Sequence, residues 1–92
     1  MYVIMCEIRS HKGLGFPNET RFVSAHPVYA AKDEQEVKEW MNREPDIIVN
    51  YLNDMKQDIW QKGVCTEKFA MIWNYSHTTE RRYFAEKVPS DE

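Results

Sequence analysis

Cysteine, glycine and positive charge are all scarce in this sequence, and each shortage removes a class of function. Two cysteines, Cys6 and Cys65, are too few for a disulfide framework and do not form a C-x-x-C pair. Cys6 lies inside an apolar run, where a reduced, buried thiol is the ordinary reading. The three glycines include one G-L-G stretch, Gly13 to Gly15. A phosphate-cradling loop leads directly into a helix N-terminus, whereas this one leads into a strand pattern, so it reads as a hairpin loop. Lysine and arginine number 12 against 15 acids, for a formal net charge of −3, the wrong sign for a nonspecific duplex-DNA binder. No run approaches the roughly 20 apolar residues of a membrane helix. Met1 to Ile8 lacks a basic start and a cleavage site, so a soluble, cytoplasmic protein is expected. His11, His26 and His77 show no i,i+4 ligand spacing and no Cys/His cluster, and neither a metal nor another cofactor is expected.

Aromatic residues, by contrast, are plentiful. They make up 13% of a 92-residue chain, within a hydrophobic fraction of 42%. A chain of this length forms one domain and buries only about 60–65% of its unfolded surface, so large rings matter to its core.

The periodicity predicts two hairpins around a helical segment. Residues 1–31 form the first hairpin. Tyr2, Ile4, Cys6 and Ile8 share one face of its opening strand, and Val3, Met5 and Glu7 share the other. Both faces begin apolar, which marks an interior strand. His26-Pro27 interrupts the second strand and predicts a bulge or an edge position. Residues 33–62 read as helical, opened by the D-x-x-E capping pair Asp33 and Glu36. Pro45 predicts a kink or a split. Ile48, Leu52, Met55 and Ile59 continue a stripe toward Gly63, a natural C′ residue. Residues 67–88 form the second hairpin, and residues 89–92 a frayed tail. The expected fold is α+β, ββαββ: a four-stranded antiparallel sheet with a Pro-kinked or split helix on one face. The apolar first strand leaves the far face of such a sheet to be covered by a partner protein or by a second copy.

Four groups of residues are candidate sites. Phe69, Met71, Trp73 and Tyr75 alternate along one strand, with Tyr83, Arg81 and Arg82 in the next. Trp73, Tyr75 and Tyr83 could stack bases while Arg81, Arg82 and Lys12 hold phosphate. Large residues at period two more commonly mark a face packed against the helix. The helical segment carries eight acids against four bases. Its Glu39, Glu44, Asp54 and Asp58 are a candidate contact for a basic protein, weighed against a plain solvated face. His26 and Tyr29 are the candidates for proton transfer in a small dimeric α+β enzyme. No acid/base partner is identifiable for them, so no catalytic residue is assigned. The opening Met1-Tyr2-Val3-Ile4 resembles the first strand of the small ferredoxin-like CRISPR-adaptation nucleases. That family ends the strand in Asp and follows it with a helix; here Glu7-Ile8-Arg9 and a glycine loop follow, so no activity is carried over.

These readings favour a small non-enzymatic binding protein, a regulator or inhibitor that works by occupying a partner protein and is able to form a homodimer. Accessory proteins of phages and mobile elements share this size and composition, which is an analogy only. Nucleotide or single-stranded RNA binding is the alternative, and the dimeric enzyme is the third reading.

Overall fold

The computed structural model describes residues 1–11, 20–56, 58–74 and 79–89. Its elements are β1 (Tyr2–His11), β2 (Thr20–Ala31), α1 (Glu34–Asp54), β3 (Trp60–Cys65), β4 (Phe69–Asn74) and β5 (Thr79–Lys87). The five strands form one antiparallel sheet in the order β2-β1-β5-β4-β3. The α+β class holds, but the expected four-stranded ββαββ sheet is corrected to five strands. Lys12, Tyr75, His77, the G-L-G stretch and residues 90–92 of the tail lie outside the described residues.

The extra strand is β3, whose first residues, 60–62, fall at the end of the expected helix and whose Gly63 takes the place of its expected C′ residue. The apolar stripe does continue at helical spacing through Met55 and Ile59, but these side chains are exposed rather than packed. The helix stops at Asp54 because Lys56 turns into the left-handed region, φ 55°, and its N–H donates to the Asn53 carbonyl at 3.1 Å. Asn53 then launches the new strand. Its amide nitrogen donates to the Trp60 carbonyl at 3.1 Å, and its Oδ1 accepts from the Trp60 N–H at 2.6 Å. Gly63 is thus a strand residue, not a helix cap. A Cβ there would sit 3.1 Å from the Met71 Cε, a tight contact that a small shift of the thioether end relieves.

Of the kink or split expected at Pro45, the split is corrected: α1 is one continuous helix with Pro45 inside it. An interior proline costs roughly 3 kcal/mol. Here Val37, Met41, Pro45, Ile48 and Leu52 form one stripe against the sheet, with Pro45 itself buried, and that packing outweighs the local cost. At its start, Asp33 Oδ1 accepts from the Glu36 N–H at 2.9 Å. Among the described residues, no helix is long and apolar enough to cross a membrane.

The core lies between α1 and one face of the sheet. Ile4 and Cys6 on β1, Ala70 and Ile72 on β4 and Tyr83 on β5 meet Val37, Trp40, Met41 and Leu52 from the helix. The Trp40 and Tyr83 rings lie 5.4 Å apart at 47°. β1 is interior, as its two apolar faces predicted. β2 is an edge strand whose pairing with β1 slips beside Pro27, so the proline removes no ladder donor from a central position.

Candidate functional site

Among the described residues, no second layer covers the face opposite the helix, and antiparallel register determines what stands on it. Directly opposed residues in neighbouring strands point the same way, so each row can be followed across four strands. The first row runs Pro27, Met5, Phe84, Phe69 from β2 to β4. The second runs Ala25, Glu7, Arg82, Met71. The third runs Phe22, Arg9, Glu80, Trp73. Met5, Phe69, Met71, Trp73 and Phe84 are only half-buried, and Phe22, Ala25 and Pro27 are exposed. The aromatic row of β4 therefore faces away from the helix, against the packed-face expectation. The small neighbours Ala70 and Ile72, both 0% exposed, face the helix instead, because Trp40 and Met41 supply the bulk from the other side.

The two central positions of the second and third rows form a square of alternating charge. Glu7 stands opposite Arg82, and Arg9 stands opposite Glu80. Arg82 grips Glu80 with two hydrogen bonds, Nε to Oε2 at 3.1 Å and Nη2 to Oε1 at 3.2 Å. Arg9 pairs with Glu7 along β1. Glu80 is only 2% exposed, with Arg82 gripping it and Arg9 and Trp73 flanking it in register. Paired charge of this kind lowers the cost of drying the face, because the ions keep their partners when water leaves. The sequence carried a signal for it: opposite charges two residues apart, Glu7/Arg9 and Glu80/Arg82, share a strand face.

The residues proposed for nucleotide contact do not share one surface. Trp73 and Arg82 are on the uncovered face, and the Arg82 fork is engaged by Glu80. Tyr83 is buried under the helix beside Trp40, and Arg81 lies over the Trp60 ring at 5.5 Å on that same side. Burial pushes the Tyr83 hydroxyl up to about 12, with Cys6 and Arg81 as its polar neighbours. Burial likewise raises the Cys6 thiol.

The acidic candidates are dispersed. Glu39 is exposed on α1, and Glu44 pairs with Arg43 at 3.2 Å. Asp54 is the last helical residue. Asp58 lies beyond the helix, where its Oδ1 accepts from the Ile59 N–H at 2.8 Å. An open cleft of about 470 Å³ between α1 and the β3–β4 turn is lined by Lys38, Glu39, Met41, Lys62, Cys65 and Glu67. Its charges largely pair among themselves and their neighbours, Lys38 with Glu67 at 3.3 Å and Lys62 with Asp46 at 2.8 Å. His26 and Tyr29 are exposed on β2, and the Tyr29 hydroxyl donates to Glu36 at 3.3 Å. Among the described residues no three His, Cys, Asp or Glu side chains converge as a metal site. In comparisons with known proteins, no family model, no curated protein and no solved structure matches this chain.

Proposed function

We propose that this chain is a non-enzymatic protein-binding domain, a regulator or inhibitor that acts by occupying a partner through the uncovered face of its sheet. The observation that carries this reading is the combination on one flat face of half-buried Met5, Phe69, Met71, Trp73 and Phe84 with charges already paired within the chain. Apolar side chains left half-open around paired charges on one sheet face support a docking role. The acidic outer surface of α1, with Glu39, Glu44 and Asp54, supplies a second, weaker contact of opposite character.

Affinity capture at physiological salt, run in parallel with the Met71→Lys chain, tests the docking face. A discrete set of proteins held by the wild type and released by Met71→Lys supports it; identical patterns overturn it. Charge reversal at Glu39, Glu44 and Asp54 is expected to weaken the same capture by a smaller factor.

Single-stranded RNA or nucleotide binding is a second reading, favoured by half-buried Trp73, Phe69 and Phe84 sharing the sheet face away from the helix. It is the weaker of the two because the guanidinium groups beside them are neutralised by Glu80 and Glu7. Salt-dependent quenching of tryptophan fluorescence by oligonucleotides would favour it, and a flat titration would remove it.

A further inference from the structure

We infer that the occupant of the uncovered sheet face is a second copy of this chain, placed by a two-fold axis running parallel to the strands between β1 and β5. This rests on the docking role proposed for that face and takes a second copy as its occupant, which leaves the acidic outer surface of α1 to meet any other protein. A two-fold contact brings the same patch against itself, so a patch of one sign would repel its own copy. The charge square here is self-complementary. Rotation about the stated axis exchanges the β1 and β5 positions, which sets Glu7 of one copy over Arg82 of the other and Arg9 over Glu80. An axis along the diagonal of the square would instead set Glu7 against Glu7.

Surface relief agrees with the same axis. The rotation also exchanges β2 with β4, so each row lies over itself reversed. Met71 then meets Ala25, Phe69 meets Pro27, Trp73 meets Phe22 and Met5 meets Phe84. The bulky strand thus falls largely on the strand of lower relief. Four strands about 4.8 Å apart and the five residues from Met5 to Arg9, at about 3.3 Å rise, give a footprint of roughly 19 by 17 Å. Side-chain relief raises the accessible area above that projection, toward the roughly 800 Å² per partner of an ordinary stable interface. Aligned sheets pack at about −30°, which keeps the central rows in register and lets the outer strand β3 project past the partner's edge.

Sedimentation of the full chain over a range of concentrations is expected to show a dimer. Ala25→Arg, an exposed change whose fold is checked by circular dichroism, is expected to raise the dimer dissociation constant at least tenfold. A second measurement specifies the axis. In a Cys65→Ser background, Ala25→Cys with Met71→Cys places two thiols three strands apart, roughly 14 Å, beyond disulfide reach within one chain. Oxidation is expected to give a covalent dimer. A chain that sediments as a monomer at about 100 µM overturns the inference, as does a dimer indifferent to Ala25→Arg that does not cross-link. A monomer that still captures another protein in a Met71→Lys-sensitive way overturns the second copy and leaves the docking face standing. A monomer without such a partner removes both.

Discussion

At the residue scale, two side chains carry measurable consequences. Tyr83 is held neutral because its hydroxyl is buried between Cys6, Arg81 and the Trp40 ring. Its folded value of about 12 lies above the ordinary 10, so folding disfavours the tyrosinate. The associated stability is complete below pH 10 and is lost as pH rises toward 12. Cys6, raised in the same direction from 9, widens the alkaline window at its lower end. Urea midpoints measured from pH 8 to 12 should fall steeply above 10. Tyr83→Phe should flatten most of that fall, at a cost of about 1 kcal/mol at neutral pH for the lost hydrogen bonds. Lys56 is the second case. It is a non-glycine residue at φ 55° that ends the helix, and Lys56→Gly should stabilise the fold by about 1 kcal/mol in thermal melts.

At the element scale, the helix ends without electrostatic help. Its first turn carries Glu34 and Glu36, which suits the positive end of the dipole, but its last turn has no basic residue and closes on Asp54. Asp54→Lys should raise stability by about 0.3–1 kcal/mol, with the gain shrinking in high salt. Asn53 matters more, since it holds both backbone groups of Trp60. Asn53→Leu should cost about 1–3 kcal/mol and speed hydrogen exchange in β3 ahead of β1 and β5. Element by element, the interior strand β1, the edge strand with its Pro27 irregularity, the Asp33 cap and the alternation of β4 were legible locally. β3 was not, because its WQKGVC sequence has little alternation and the stripe through Met55 and Ile59 keeps helical spacing beyond the true helix end. The side on which the β4 aromatics stand was likewise hidden. A period of two says that faces differ, while which face meets Trp40 is decided by packing volume across the core.

At the scale of the whole molecule, the site depends on long-range pairing. Glu7 and Arg9 are visible as one same-face pair and Glu80 and Arg82 as another, yet the square exists only because β1 pairs with β5. No local pattern specifies that partnership. If the sheet face is closed by a second copy, stability becomes a mass-action quantity. The melting temperature should then climb with protein concentration for the wild type and stay constant for Ala25→Arg, a comparison that calorimetry at two or three concentrations can make.

The central position of the first strand has a kinetic consequence. One flank of β1 can be zipped at once by β2, but the other waits for residues 79–87, the last strand of the sheet. A nascent polypeptide emerging from the ribosome therefore holds an unpaired backbone ladder and bare Met5 for most of its synthesis. That ladder is a ready template for wrong strand addition. The late arrival of β5, with Arg82 and Glu80 delivered to the waiting Glu7 and Arg9, closes it by bringing complementary ions to a seam that a stray hydrophobic strand cannot match.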